Sequence, residues 1–239
     1  QLEVLVEVDV GQGRCGVQTP DEAAALAKQI RDNAWLRFGG IQGYEGKIQM
    51  VTDAAEREAA TGAGLDRLDA FVAAVEAAGV GVPLKTGGGT GTSPFDMARG
   101  TLTELQTGSY LFMDSRYGRI GWPGANSPPF EQSLHILTTV VSMPTADRAV
   151  CDAGLKSASS DHGPPAVADL DGVVFEYGGD EHGVLRAADG GDLRWTVGDK
   201  LKLVPSHCDT TVNLYDQYIV VQGDEVVDVW LIEGRGKTQ

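Results

Sequence analysis

The chain changes its pattern of hydrophobic and polar positions near residue 120. Before that point, short apolar runs alternate with longer stretches in which apolar residues recur at helical spacing. Strands that alternate with helices indicate a parallel sheet with crossover helices. The predicted strands are LEVLVEVDV (2–10), LRFGGIQGY (36–44), VPLKTGGG (82–89) and ELQTGSYLFMD (104–114).

Two helices are predicted between these strands. The first covers residues 19–33, because Thr19 is a good N-cap, Pro20 suits the first helical position and Glu22 completes a capping box. The second lies within residues 52–79. Its apolar residues at helical spacing are Leu65, Leu68, Val72 and Val75.

The second half of the chain follows a loop rich in proline and glycine at residues 121–133. From residue 134 onward, short β-rich runs are broken by glycine and aspartate, and no helix is predicted. We therefore predict two domains, an α/β unit over residues 1–120 and an all-β domain over residues 134–239.

Composition narrows the classes of function. The 239 residues carry a net charge of −15, which argues against nucleic acid and against anionic membrane surfaces as partners. No apolar run has the length of a membrane span. Cys15, Cys151 and Cys208 are odd in number and far apart, so they do not indicate a disulfide framework. These features are typical of a cytoplasmic protein.

Two glycine-rich segments follow predicted strands. GQGRCG (11–16) matches GxGxxG, but a dinucleotide site needs the helix to begin within the motif, and the capping box places its start later, at Thr19. TGGGTGT (86–92) exposes backbone N–H groups that could cradle a phosphate. The alternative for this second segment is a flexible turn.

The segment LKLVPSHCDTTVNLYD (201–216) contains three residue types that bind metals. If it is a strand, His207 and Asp209 share one face and Cys208 points the other way. Imidazole and carboxylate together suit a divalent ion such as Mn²⁺ or Mg²⁺, and Zn²⁺ is also possible. The alternative is a Pro-Ser turn that these polar groups merely cap.

Several segments, taken in order, resemble one family. VEVDVGQGRCGV, IQGYEG, GGGTG, GSYLFMD, DAGLK, DEHG and VPSHCDTTVNLYD are similar to segments of the D-threonine aldolase and D-serine dehydratase family. The resemblance covers nearly the whole chain. It implies the alanine racemase fold, pyridoxal 5'-phosphate (PLP) and a divalent metal. The expected fold class is therefore α/β, with the C-terminal half of a (β/α)8 TIM-like barrel followed by an all-β domain.

The resemblance also implies site residues. Thr90 and Gly91 resemble residues that bind the PLP phosphate, and Arg14 resembles an arginine that contacts the cofactor ring. His207 and Asp209 match the pair that binds the catalytic metal. The full set of implied PLP-binding residues is Arg14, Tyr44, Thr90, Gly91, Gly108 and Tyr110.

The implied activity is a lyase reaction on D-3-hydroxy amino acids, with PLP as electron sink and the metal on the β-oxygen. Aldolases of the family use His-x-Asp and release glycine and an aldehyde, whereas dehydratases use His-x-Cys with zinc and release a 2-oxo acid and ammonia. His207-Cys208-Asp209 favours an aldolase for D-threonine or D-3-hydroxyaspartate, with Mn²⁺ or Mg²⁺ rather than Zn²⁺. A dehydratase and a non-catalytic remnant are the alternatives.

One position departs from the family pattern beside the implied cofactor site. Aldolases of the family carry a histidine six residues after the tyrosine that Tyr44 matches, and here that position is Met50, which cannot transfer a proton. Either a neighbour such as Glu45 or Lys47 substitutes, or the reaction differs. Structural hydrogen bonding is the expected role of most of four further residues in family-like segments, Asp152, Lys156, Asp161 and His182.

The family's PLP lysine is the second departure, because no lysine of the chain lies in a matching motif. Lys85 is the best internal substitute. The chain has no initiator Met and only about four strand–helix units, against about 250 residues for a complete barrel. We expect it to be the C-terminal part of a longer protein, inactive as a fragment and a homodimer at full length.

The missing lysine leads to a direct test. When the 239-residue chain is incubated with PLP and reduced with borohydride, no cofactor should become covalently bound in stoichiometric amount. The bound cofactor is measured by absorbance and located by peptide mass spectrometry. A stoichiometric adduct on Lys85 would contradict the prediction.

Overall fold

The computed structural model describes residues 1–237, which form two compact units. Gln1–Tyr110 and Arg119–Pro129 make the first unit. Leu111–Gly118 and the chain from Phe130 onward make the second. Within the described residues, no helix combines the length and the apolar character that crossing a membrane requires.

The first unit is built on a parallel sheet. Its strands lie side by side in sequence order, and all neighbours run parallel, as in a segment of a (β/α) barrel. The strands are β1 (Leu2–Glu7), β2 (Leu36–Gly43), β3 (Leu84–Gly87) and β4 (Glu104–Leu105). The helices are α1 (Pro20–Arg31), α2 (Ala54–Ala77) and α3 (Ser93–Arg99). Short 3-10 helices cover Lys47–Met50, Ser109–Leu111 and Tyr117–Arg119.

Of two local predictions for this unit, the capping box of α1 and the strand at residues 104–114, only the first is fully correct. The predicted capping box of α1 is confirmed, with the Glu22 carboxylate accepting the Thr19 N–H at 2.9 Å. The predicted strand at residues 104–114 is wrong beyond Leu105. There the backbone leaves the ladder, and the N–H of Tyr110 donates to the Thr90 side chain instead of to a neighbouring strand.

The second unit is an antiparallel β structure. Six strands lie in the order β7-β10-β5-β6-β9-β8, and the edge strands β7 and β8 are near each other, so the sheet is nearly closed. These strands are β5 (Ile136–Thr145), β6 (Arg148–Cys151), β7 (Ala166–Val167), β8 (Val173–Tyr177), β9 (Gly183–Ala187) and β10 (Lys200–Val204). A separate hairpin consists of β11 (Gln217–Gln222) and β12 (Glu225–Leu231). The fold class predicted from the sequence, a partial (β/α) barrel with an all-β domain, is confirmed.

The prediction that this unit contains no helix is wrong, because α4 (Cys208–Val212) follows β10. Strand β10 ends at Val204, just before Pro205, which has no N–H to contribute to a ladder. His207 then takes an extended conformation with φ −147° and is the N-cap residue of the helix. The turn after Pro205 therefore sets the geometry of the predicted metal pair.

A buried arginine connects α2 with the glycine-rich loop after β3. The Arg57 side chain is fully buried. Its Nε donates to the Gly91 carbonyl at 2.9 Å, and its terminal nitrogens donate to the carbonyls of Val51 and Gly121. A buried guanidinium that loses its partners is costly, and so is the buried Gly91 carbonyl when it loses its donor.

Replacing Arg57 with methionine should lower the free energy of unfolding by about 3 kcal/mol, because the buried Gly91 carbonyl and the part-buried carbonyls of Val51 and Gly121 all lose their donor. Arg31→Met is the matched control, since Arg31 is exposed at the end of α1 and should cost no more than about 0.5 kcal/mol. Urea unfolding followed by circular dichroism measures both values. Equal stability of the two variants would show that the buried hydrogen bonds contribute nothing.

Candidate functional site

The loop after β1 is organised by a carboxylate of its own. Asp9 Oδ1 accepts the N–H groups of Gly11 and Gly13 at 2.9 and 3.0 Å, and these hydrogen bonds lower the pKa of Asp9. Helix α1 begins only at Pro20. The GxGxxG match is therefore not a dinucleotide motif, because its amides serve Asp9 and no helix begins within it.

The structure brings Arg14 and Tyr44 together. The guanidinium carbon of Arg14 lies 5.5 Å from the centroid of the Tyr44 ring, within the range of a cation–π contact. Gln12 supports this contact from the same loop, because its Oε1 accepts the Gly46 N–H at 2.7 Å. The loop that carries Arg14 is thereby attached to the segment that carries Tyr44.

Gln49 connects the segment after Tyr44 with the glycine-rich loop. Its buried side chain accepts the N–H groups of Gly91 and Thr92 at 2.9 and 3.2 Å. A Cβ added at Gly91 would lie 2.2 Å from the carbonyl oxygen of Gln49, so only glycine fits there. Neither Gln12 nor Gln49 was recognised from the sequence, because glutamine side chains carry no motif and their partners lie more than thirty residues away.

The predicted phosphate-binding residues lie on two loops that meet. Thr90 is 2% exposed, and its Oγ1 accepts the N–H of Tyr110 at 3.1 Å. The Thr90 O–H remains available to donate, since no acceptor for it is found among residues 1–237. An added Cβ at Gly108 would meet no atom within 4 Å, so open space adjoins this position.

Met50 ends the 3-10 helix after Tyr44, and its two candidate substitutes have different surroundings. The Glu45 carboxylate lies against α2, since an added Cβ at Gly64 would be 3.2 Å from its Oε2, and burial raises the pKa of Glu45. An added Cβ would be 2.7 Å from the Glu45 carboxylate at Gly11 and 3.4 Å from the Lys47 ammonium at Gly13. Both side chains therefore lie beside the loop that carries Arg14, and both stay candidates.

The predicted metal pair converges in the second unit, although not as a strand. His207 is extended, Asp209 lies in the first turn of α4, and His207 Nε2 is 3.3 Å from Asp209 Oδ2. The prediction that His207 and Asp209 lie on one face of a strand is wrong about the backbone, because helix α4 begins at Cys208. Cys208 is fully buried, and its thiol donates to Asp209 Oδ1 at 3.6 Å, so it is a neighbour of the pair and does not point away from it as predicted.

Asp161 fixes the orientation of the His207 ring. Its Oδ2 lies 2.6 Å from His207 Nδ1, while its Oδ1 accepts hydrogen bonds from Ser159 Oγ at 2.6 Å and Thr210 Oγ1 at 3.0 Å. A carboxylate on one ring nitrogen of a histidine commonly orients the other nitrogen toward a metal. Hydrogen bonding to Asp209 and to Asp161 raises the pKa of His207 to about 9, despite partial burial.

A second metal position is conceivable between Asp161, His162 and His207, whose ligand atoms lie within 4.8 Å of one another. The rings of the two histidines are 4.5 Å apart. Both oxygens of Asp161 already accept hydrogen bonds, however, and a metal there would have to displace them. The geometry therefore favours the position between His207 Nε2 and Asp209.

Asp114 holds the segment Leu111–Gly118 beside the metal pair. This carboxylate is 1% exposed, and its Oδ1 accepts the N–H groups of Arg116 and Tyr117, each at 3.0 Å. Its Oδ2 accepts the N–H of Cys208 at 3.3 Å. One buried carboxylate thus connects the Arg116 backbone to the first turn of α4.

Two of the residues in family-like segments, Asp152 and Lys156, make hydrogen bonds that have an ordinary structural role. Asp152 accepts hydrogen bonds from the Thr138 hydroxyl and the Thr139 N–H, at 2.6 and 2.7 Å. Lys156 forms an exposed ion pair with Glu181 at 2.9 Å. Structural hydrogen bonding therefore explains these two, whereas Asp161 also orients a predicted metal ligand.

Comparison with known proteins places each unit in a family. The sequence model of the alanine racemase N-terminal domain matches residues 1–116. The model described as "Putative serine dehydratase domain" matches residues 133–221. The solved D-threonine aldolase from Filomicrobium marinum is similar with a TM-score of 0.94 and 38% identity, covering 99% of this chain and 64% of that one.

Aldolases are the more similar curated relatives. D-threonine aldolase from Arthrobacter sp. is 44% identical over 236 residues, covering 99% of this chain and 62% of the relative. 3-hydroxy-D-aspartate aldolase from Paracoccus denitrificans (strain Pd 1222) is 41% identical over 240 residues, covering 99% and 61%. D-threo-3-hydroxyaspartate dehydratase from Delftia sp. (strain HT23) is 29% identical over 258 residues, covering 96% and 65%. The chain therefore spans less than two thirds of the length of these relatives.

Asp161→Asn should weaken Mn²⁺ binding about 10- to 100-fold, because the ring of His207 loses the carboxylate that orients it. Isothermal titration calorimetry measures the affinity, with Asp180→Asn as an exposed control that should bind as the wild type does. His162→Ala should also leave the affinity unchanged. A large loss in His162→Ala would place the ion in the Asp161, His162 and His207 cluster instead.

Proposed function

Because the chain belongs to the D-threonine aldolase and D-serine dehydratase family, we propose that the protein is a lyase that cleaves D-3-hydroxy amino acids between Cα and Cβ, giving glycine and an aldehyde. The observation that carries the proposal is the pair His207 and Asp209, whose Nε2 and Oδ2 atoms lie 3.3 Å apart. His-x-Asp is the aldolase pattern, and the relatives with at least 40% identity are named aldolases.

The residues present fit a divalent ion. His207 offers Nε2 and Asp209 offers Oδ2 at the same point, while Asp161 occupies Nδ1 of the ring. Two protein ligands leave positions for water and substrate, and one imidazole with one carboxylate suits Mn²⁺ or Mg²⁺ better than Zn²⁺. When bound, the ion would lower the pKa of the β-hydroxyl of the substrate.

The residues present also fit the phosphate and ring of PLP. The Thr90 hydroxyl keeps a hydrogen to donate, Gly108 borders open space, and Gly91 fits a position where any Cβ would collide with backbone. When bound, PLP supplies an electron sink for the electron pair that remains on Cα. We propose six residues for this role: Arg14, Tyr44, Thr90, Gly91, Gly108 and Tyr110.

Each group of residues has a separate task in this proposal. Arg14 and Tyr44 would hold the ring of the cofactor, and Thr90 its phosphate. His207 and Asp209 would orient the β-hydroxyl through the ion, with Asp161 keeping the Nδ1 proton of His207 in place. The partners we propose are a small D-amino acid as substrate and a second copy of the chain in a homodimer.

Product analysis tests the proposed reaction. The protein as its gene encodes it, supplied with PLP and Mn²⁺, should convert D-threonine or D-3-hydroxyaspartate into equal amounts of glycine and the corresponding aldehyde. Amino acid analysis measures the glycine, and hydrazone formation measures the aldehyde. Asp209→Ala should lower the rate at least about 100-fold, because the ion loses one of two protein ligands.

The control for this experiment is Asp224→Ala, which removes an exposed carboxylate from the β11–β12 turn and should leave the rate unchanged. Release of a 2-oxo acid and ammonia in place of glycine would show that the protein is a dehydratase. Absence of either reaction in the protein loaded with both cofactors would support a non-catalytic remnant.

A further inference from the structure

Arg116 lies beside the predicted metal pair. Its N–H and the N–H of Cys208 bond to the two oxygens of one buried carboxylate, Asp114. Cys208 stands between His207 and Asp209 in the chain, so the Arg116 backbone is held one carboxylate away from the metal pair. The N–H of the neighbouring Ser115 donates to the Pro205 carbonyl at 2.9 Å, which fixes the same segment a second time.

The guanidinium of Arg116 has no acidic partner among residues 1–237, although it is partly buried. Three other cations of this unit have acidic partners: Lys156 pairs with Glu181, Arg186 with Asp147 and Arg235 with Asp216. The chain has 34 acidic residues, so an acidic partner would have been easy to provide. A partly buried cation without a counter-charge is unfavourable until an anion binds.

Two attachments hold the Arg116 backbone at the turn that carries the metal pair, one through Asp114 to Cys208 and one from Ser115 to Pro205. An anionic group on a substrate held by His207 and Asp209 would therefore lie beside the segment that carries the Arg116 charge.

We propose that Arg116 binds a carboxylate carried on the β-carbon of the substrate, so that the preferred substrates are D-3-hydroxy amino acids with an acidic side chain, the 3-hydroxyaspartate class, rather than those with an alkyl side chain. The proposal rests on the function proposed above, which places the β-hydroxyl at the metal pair. A substituent on the same carbon as that hydroxyl would also lie at the metal pair, beside the segment that carries Arg116. A guanidinium also matches a carboxylate by forming two parallel hydrogen bonds.

The reaction with such a substrate balances without another reactant. In 3-hydroxyaspartate the β-hydroxyl loses its proton and the Cα–Cβ bond breaks. Cβ leaves as the aldehyde carbon of glyoxylate, and Cα gains a proton to become glycine. Arg116 would hold the same carboxylate in the substrate and in glyoxylate.

Binding of two non-reactive probes tests the assignment independently of turnover. Malate is 3-hydroxyaspartate without its amino group, and 3-hydroxybutyrate is threonine without its amino group. In the protein loaded with PLP and Mn²⁺, calorimetry should show malate binding at least tenfold more tightly than 3-hydroxybutyrate. Arg116→Gln should reduce this ratio at least tenfold, while Arg119→Gln, an exposed arginine three residues later, should leave it unchanged.

The outcomes separate the alternatives. Equal weakening of both probes in Arg116→Gln would mean that Arg116 binds the carboxylate that the probes share, and would overturn the proposal. An unchanged ratio of the two affinities in Arg116→Gln would also overturn the proposal. It would mean that malate binds more tightly only because it chelates the ion, which the substitution does not affect. Mn²⁺ affinity equal to that of the wild type verifies that the variant is folded, and Arg116→Lys provides a second variant that keeps the charge.

Turnover then distinguishes this proposal from the function on which it rests. Arg116→Gln should lower kcat/KM for D-3-hydroxyaspartate at least tenfold and change it little for D-threonine. If Arg116→Gln lowered kcat/KM equally for both substrates, the proposed role of Arg116 would be contradicted, but the proposed lyase function would stand. Cleavage of neither substrate by the wild type would contradict the lyase, and the probe ratio would still decide whether Arg116 recognises an acidic side chain.

Discussion

The hydrogen bond between Asp161 and His207 is the constraint on which the candidate metal site depends. It determines which nitrogen of the ring faces Asp209, and it joins two segments 46 residues apart. The β7–β10 ladder brings these segments together, because Val204 pairs with Ala166. His207 follows the end of one strand and Asp161 precedes the start of the other, so the sheet register places both at the same end of the ladder.

Polar side chains perform the same task at several points in the two units. Asp114, which is buried, attaches the Arg116 segment to α4, and Asp161, which is exposed, attaches its own loop to His207. In the first unit, Gln12 and Gln49 attach the segment after Tyr44 to the loops before and after it. Asp114, Gln12 and Gln49 do so by accepting hydrogen bonds from backbone N–H groups. A functional site made of loops needs such attachments to hold its residues in place.

Features with a local cause were predictable from the sequence. The capping box of α1 depends on residues within one turn, and the order of strands and helices in the first unit follows from hydrophobic spacing. The strand predicted at residues 104–114 was too long, because the Thr90 hydroxyl binds the Tyr110 N–H from 20 residues away. Helix α4 was missed because it has only five residues and follows a proline.

The candidate site shows the same division between local and distant causes. The pair His207 and Asp209 was predicted from strand spacing together with the family resemblance, although the backbone there is a helix start and not the predicted strand. The contributions of Asp161, Asp114 and Gln49 depend on partners between 42 and 94 residues away, so no local pattern reveals them. The role proposed for Arg116 depends on its position beside α4 and on the absence of an acidic partner within residues 1–237, neither of which a local pattern reveals.

In the proposed site, one histidine and one carboxylate hold the ion, and Asp161 lies outside the coordination sphere. Pulsed electron paramagnetic resonance of the protein loaded with Mn²⁺ counts the imidazole nitrogens that are bound directly to the ion. The account predicts the modulation of a single nitrogen, which His207→Ala abolishes and His162→Ala preserves. Two coupled nitrogens, or a signal that His207→Ala leaves unchanged, would contradict it.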